Sequence, residues 1–385
     1  MMRHANMVGA AFALTALTYG LTRFAYGLLL PSIRAELSLS ATAAGWIGGL
    51  AFASYCVGVV LAFTLVDRFG ERWITVLAGT AATGAMAIIV VSWSGWGLGF
   101  AMTLGGLSTG LTSPPLASAV ARTLSHPDQV KANGFINSGT AVGIVISGAA
   151  ALVFSDSWRG LYVAFAGVGV MTTLWLWRTM PPRDTKVVVE KLHWNDVQTS
   201  GAVNLLSSSF MVGFASTAVW TFGADIMRDE VGFSGNQIAL SWIALGVIGI
   251  AGSSTGALVQ YLGLPAVHRL AIAMMSLAVV LLAAASAYSP LAFIALGMFG
   301  RGYIIATGVL LLWGISIYNR RPALGLSMPF LFVAVGQTAG APVFGMVLDA
   351  SGSITALGAF SIVMASGARF TAAKKTPFRE CRPYK

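Results

Sequence analysis

Apolar residues do not alternate with polar ones along this chain; they run in long blocks. Twelve such blocks stand near 7–30, 43–65, 73–93, 97–120, 132–154, 160–178, 199–224, 237–260, 266–287, 291–314, 324–348 and 353–370, the last being the shortest. At roughly 17–25 residues each, a block wound as a helix crosses the hydrocarbon core of a bilayer. The first begins near Met7 with no small-residue cleavage site before it, so it reads as a span and not as a cleaved signal. The blocks predict an all-α membrane protein of twelve transmembrane helices.

The longest polar connection, "MPPRDTKVVVEKLHWNDVQTS" at 180–200, falls between blocks six and seven. Two prolines, mixed charge and no apolar run mark it as a linker. The predicted organisation is therefore a six-helix bundle over 1–179, a cytoplasmic linker over 180–198, a second six-helix bundle over 199–370 and a tail over 371–385.

Composition agrees. Of 385 residues, 56% are hydrophobic and only 9% charged, against about 25% charged in soluble domains. The net charge of +10 does not point to nucleic acid, because of where the charge sits. With the N-terminus in the cytoplasm, only Arg34, Arg159 and Arg228 of the 23 Lys and Arg fall outside, and only Arg23 and Arg301 fall within spans. The remainder lie inside, which orients both termini toward the cytoplasm. Cys56, Cys381 and the four histidines show no ligand spacing, so neither a disulfide framework nor a metal is expected.

The halves echo each other. Gly139, Gly143 and Gly148 in span five match the spacing of Gly336, Gly340 and Gly345 in span eleven. "STGL" at 108–111 corresponds to "ATGV" at 306–309, and Gly70, after span two, corresponds to Gly263, after span eight.

"VDRFGERW", with Asp67, Arg68, Gly70 and Arg72, resembles the loop motif G-x-L-x-D-R-x-G-R-[RK] of the major facilitator superfamily. With twelve spans in two pseudo-symmetric halves and "SDSWRGLYVAF" after span five, the resemblance covers essentially the whole chain. "RFAYGLLLP" in span one is similar to a bacterial twelve-helix branch of small permeases whose substrates are mostly unassigned. There are departures. Phe63 stands where the motif begins with Gly, Glu71 where a basic residue is usual, and Gln260 and Tyr261 where the second copy would carry Asp-Arg. Span five reads "SGTAVGIVISG" and lacks the Gly-Pro pair of proton-coupled drug exporters. The resemblance implies that Asp67 bridges to the N-terminal end of the span-eleven helix, with Arg68, Gly70 and Arg72 completing a latch that stabilises the outward-open state. It also implies that spans one, four, seven and ten line a central cavity.

Two intramembrane arginines carry the candidate chemistry. A charge there costs about 2.5–3.5 kcal/mol on insertion scales, so such residues usually face a water-filled path. Thr15, Tyr19, Arg23 and Tyr26 recur at four, four and three and so share one face of span one, with Pro31 ending it. Arg23 then lies some seven residues from the outer end, where snorkelling is the competing explanation. Arg301, between Gly300 and Gly302, stands deeper. Together they predict a clamp for a small organic anion, with Tyr19, Tyr26 and Asn204 as further substrate contacts. Gln337 and Asn137 read first as packing residues. No acid falls at a clear midplane position; Asp225, at the outer end of span seven, is the nearest group for proton coupling.

The expected function is a secondary or facilitative transporter of the inner membrane, a monomer working on a small molecule by alternating access, without cofactor. An exporter of hydrophobic drugs or metabolites is the main alternative, and a non-transporting membrane sensor a further one. No nucleophile–base pair, phosphate-binding loop or metal cluster suggests an enzyme.

Overall fold

A computed structural model gives the structure and describes residues 2–154, 157–182, 199–250, 252, 255–318 and 322–372. The expected linker at 180–198 and the tail at 371–385 lie almost wholly outside these residues. Among the described residues, all regular structure is helical. In chain order the helices are α1 (Met2–Thr15), a π-helical segment (Ala16–Phe24), α2 (Ala25–Leu37), α3 (Ala41–Phe69), α4 (Glu71–Val91), α5 (Gly95–Gly110), α6 (Ser113–Thr123), α7 (His126–Val153) and α8 (Trp158–Thr179). The second half follows with α9 (Ala202–Trp220), α10 (Gly223–Asp229), α11 (Gly235–Ile250), α12 (Thr255–Leu262), α13 (Leu264–Ala284), α14 (Pro290–Ile317) and α15 (Pro322–Ser366).

Nine described helices are long and apolar enough to cross a membrane, or ten when α11 and α12, bent by 54°, count as one. The fourth apolar block is broken at Leu111 and Thr112, just ahead of Pro114-Pro115. The eleventh and twelfth blocks merge in α15 across Gly352, whose φ of 79° and ψ of 173° are not helical.

The helix ends form two faces. We call proximal the one bearing Met2, the α3–α4 turn and residues 182 and 199, and distal the one bearing Ser38–Ser40 and Glu230–Ser234.

Span one differs from the expectation. Pro31 does not end it: α2 runs on to Leu37, where Ser38 adopts a left-handed φ of 51° and donates its N–H to Arg34. Pro31 only removes the bond that the Gly27 carbonyl would have accepted. Gly27 itself admits close approach, because a Cβ there would overlap the Trp220 carbonyl. The wide turns of the π segment have local causes. The Thr18 hydroxyl bonds back to Leu14 and the Thr22 hydroxyl to Leu17, both at 3.0 Å, while Thr109 of α5 donates to the Thr18 carbonyl at 3.0 Å. Gly20 has no side chain and lies against Gly143 of α7.

The glycine triplets hold the two halves in matching ways. Cβ atoms at Gly139 and Gly143 would press on Phe12 and Ala16 of span one, and at Gly336 and Gly340 on Phe210 and Phe214 of α9. The third glycine of each set reaches the opposite half: Gly148 meets Ala239 and Ile243 of α11, and Gly345 meets Ala41 of α3. Such backbone-to-backbone contacts are how membrane helices gain dispersion energy without a hydrophobic driving force. Gly70 (φ 82°, ψ 165°) and Gly263 (φ 80°, ψ 150°) also share one conformation that side chains rarely adopt. Each closes its preceding helix, donating to Val66 at 2.7 Å and to Val259 at 2.9 Å.

Gly143→Ala should lower stability by about 1–3 kcal/mol, because backbone atoms at Ala16 and Gly20 cannot yield as a side chain would. Gly134→Ala, where nothing lies within 4 Å, should be neutral or raise it by about 0.5–1 kcal/mol through helix propensity. Thermal unfolding of the purified protein in detergent measures both.

Candidate functional site

Arg23 lies in the last turn of the π segment. Leu37 lies 14 residues beyond it, about 20 Å along the axis, farther than an arginine side chain reaches to an interface. The residue is 7% exposed. Its Nη2 donates to Oε1 of Gln337 on α15 at 3.0 Å, a contact between the two halves of the chain. Gln337, 1% exposed, is held in turn by Ser216 of α9 at 3.4 Å. Three rings flank the guanidinium, Phe52 at 4.4 Å, Tyr55 at 4.6 Å and Phe24 at 5.5 Å, contacts that favour a cation. Its Nε is buried with no hydrogen-bond partner. Among the described residues no carboxylate pairs with it.

An aromatic cluster adjoins this charge. Phe24 lies 4.3 Å from Trp220, whose ring meets Tyr303 at 5.1 Å, Phe299 at 5.7 Å and Trp242 at 6.1 Å. Tyr303 interacts with both Arg23 and Gln337. A void of about 30 Å³ opens here between the halves, lined by Phe24, Thr140, Trp220, Gly249, Gly300 and Tyr303. The Trp220 indole N–H is buried without a partner.

The structure brings only some of the expected site residues together. Tyr19 joins Arg23, its ring edge-on to Tyr55 at 6.2 Å and its hydroxyl 2.9 Å from Ser113. Thr15 turns instead toward Gly139, and Tyr26 donates to the Ala44 carbonyl at 3.0 Å. The single face expected for these four is thus split, because the π turns rotate each residue by less than an α-helix does. Arg301 is exposed, and among the described residues it makes no hydrogen bond or ion pair. It lies two positions from Tyr303, about 160° around α14, on the side near Gly252. The Arg23–Arg301 clamp is therefore not assembled in this conformation. Asn204 is exposed in the first turn of α9, twelve residues before Ser216 and so about 18 Å away along the helix.

Asp225 is buried and pairs with Arg34, which also approaches Asp229 at 3.9 Å. These residues join α2 to α10 across the distal face. There Arg228 donates to Ser32 at 3.3 Å, and Asp349 accepts from the backbone N–H groups of Ala41 at 3.1 Å and Thr42 at 2.7 Å. A carboxylate on those free amides meets the positive end of α3. The distal ends of the two halves are thus tied together.

On the proximal face Glu71 and Arg72 contact their own half. Glu71, a departure from the motif, is 2% exposed and accepts from Arg122 at 2.6 Å and Ser118 at 2.8 Å. Arg72 donates to the Met180 carbonyl at 2.8 Å. Asp67 and Arg68 are exposed, with the Arg68 guanidinium over the Phe69 ring at 5.4 Å, and Gly70 forms the turn.

A family model described as Major Facilitator Superfamily matches residues 12–328. The chain belongs to that superfamily. Over 180 residues it is 32% identical to the uncharacterized transporter YgaY of Escherichia coli O157:H7, an alignment covering 46% of this chain and 43% of that one. Over 230 residues it is 24% identical to the uncharacterized transporter YybO of Bacillus subtilis (strain 168), covering 57% and 52%. The superfamily member described here spans about half the length of the curated relatives it matches. Its backbone is similar to the D-xylose-proton symporter (TM-score 0.80, 14% identity, 97% of this chain and 99% of that) and to the nucleoside transporter NupG (0.77, 11%, 96% and 98%). It is also similar to an inward-facing, occupied bacterial homologue of the human lysosomal transporter Spinster (0.76, 16%, 96% and 96%). At these identities the likeness shows the fold alone.

Sequence reasoning set Gln337 aside as packing and did not single out Phe52, Tyr55, Trp220 or Tyr303. A signal for Gln337 was present: a lone amide among the apolar residues of span eleven, in the half opposite Arg23.

The distal ties can be tested by labelling. In a chain with Cys56 and Cys381 replaced by Ser, a cysteine at Thr221, buried against Gly48, should react slowly with a membrane-impermeant maleimide. Adding Asp349→Asn removes a charge worth about 0.3–1 kcal/mol and should speed labelling about two- to fivefold. An unchanged rate would mean that packing alone holds this face.

Proposed function

We propose that this protein is a secondary transporter that moves a small organic anion across the inner membrane by alternating access. Two six-span halves rock about the glycine-lined contacts between α3 and α15 and between α7 and α11. The observation that carries the reading is the buried guanidinium of Arg23, whose charge no carboxylate among the described residues offsets. An anion supplies the missing charge, and the bond across to Gln337 couples its binding to both halves. The fold does not choose the substrate, since a sugar symporter, a nucleoside transporter and the human organic anion transporter MFSD10 all share it.

The charge distribution supports both termini in the cytoplasm, with the proximal face inside. The tied distal face then represents an outward-closed state. Asp67, Arg68, Gly70 and Arg72 serve as a latch of the outward-open state, Asp67 bridging to the N-terminal end of the span-eleven helix. Asp225 serves the distal closure through Arg34, and a proton taken up there would loosen it. The protein works as a monomer in the bilayer, without cofactor. The aromatic cluster also suits an exporter of hydrophobic compounds, a reading in which Arg23 is structural.

Uptake of labelled organic acids into proteoliposomes separates these readings. Arg23→Ala should lower transport about 10- to 100-fold, the equivalent of a hydrogen bond to a charged group at about 1.5–3 kcal/mol. Arg301→Ala should retain it. If Arg23→Ala transports every acid as well as the parent does, the anion reading fails.

A further inference from the structure

We infer that the Arg23 site selects an aromatic monocarboxylate, its carboxylate on Arg23 and its ring among Phe24, Trp220 and Tyr303. This rests on the anion reading above and narrows it.

Charge sets the first limit. Arg23 is the cation whose ring and amide contacts reach this site, whereas among the described residues Arg301 makes no hydrogen bond or ion pair and Arg34 is occupied by Asp225 at the distal face. One guanidinium matches one carboxylate. A second carboxylate on the ligand would enter the apolar interior unpaired.

Shape sets the second. Beside the charge the site offers ring faces and edges: Phe24 and Trp220 4.3 Å apart, and Tyr303 edge-on to Trp220 at 5.1 Å. The void between them draws its lining from both halves, Phe24, Thr140 and Ile144 on one side and Trp220, Gly246, Gly249, Gly300 and Tyr303 on the other. At about 30 Å³ it has room for a water and not for a ring, so a ligand requires the two walls to separate. Once the walls separate, a planar ring would meet them in offset or edge-to-face contact. The three glycines keep the second wall shallow.

Hydrogen bonding sets the third. Arg23 Nε and Trp220 Nε1 are both buried donors without partners, and both side chains pack on the Phe24 ring. Tyr303 stands against Trp220 and within interaction range of Arg23. Unpaired buried donors call for acceptors, and a carboxylate has four lone-pair sites to offer. A hydrocarbon would leave both donors unmet, and a cation would oppose Arg23.

The test is binding of radiolabelled benzoate to the full chain in nanodiscs, with competition by cyclohexanecarboxylate, benzamide and succinate. Benzoate should bind in a manner lost in Arg23→Ala. Cyclohexanecarboxylate should compete about two- to tenfold more weakly, the range expected from aromatic pairing, and benzamide and succinate should barely compete. Trp220→Leu should abolish the ring preference while Arg23-dependent binding persists, and Trp220→Phe, a milder change, should preserve the preference. Equal competition by cyclohexanecarboxylate or succinate, with binding still lost in Arg23→Ala, overturns the aromatic monocarboxylate and leaves the anion reading standing. Benzoate binding that survives Arg23→Ala, or binding of no carboxylate at all, overturns both.

Discussion

A guanidinium halfway along a membrane helix has to be either neutralised or used. Here no carboxylate among the described residues is buried against Arg23, and the side chain does not reach the interface. It surrounds the charge with ring faces and one amide oxygen, from Gln337, which lies in the other half of the chain. Much else follows from that choice. The π segment aims the side chain, Gln337 is fixed through Ser216, and Tyr303 brings the aromatic cluster of the second half up to the charge. The arrangement holds a cation with no countercharge among the described residues.

Around this centre the packing is nearly two-fold. The first two glycines of each triplet hold span one against α7 and α9 against α15, and the third faces the opposite half. Electrostatics break the symmetry. Asp349 caps α3 at the distal face, while the corresponding position four residues past Gly148 is Leu152. A shared scaffold with unequal ties lets the two faces of the membrane behave differently.

Much of this was legible in the sequence. Long apolar blocks, the asymmetry of Lys and Arg and the matched glycine spacings reflect local or averaged properties, which a linear reading captures. Gly70 and Gly263 were paired by position and do share one backbone conformation. Three features were hidden. The π segment depends on a threonine from α5 and on the absence of a side chain at Gly20, both tertiary facts. The role of Glu71 needed its partners Arg122 and Ser118, some fifty positions away. The direction of Arg301 depended on which face of α14 meets Trp220, which spacing within a glycine-rich helix does not reveal.

The π segment has a consequence for the whole of span one. Its two ends answer to different neighbours. α1 is phased to α7 and α8 in its own half, where Asn6 accepts from Trp175 at 3.0 Å, while α2 is phased to α10 across the distal face through Arg34 and Asp225. A uniform α-helix would impose one rotational setting on both. The nine residues of wider turns act as a phase shifter between them, and Arg23 sits where one setting gives way to the other. Losing a single residue from this stretch would leave the rod its length to within one helical step, yet turn its distal third away from the acids it was set to meet.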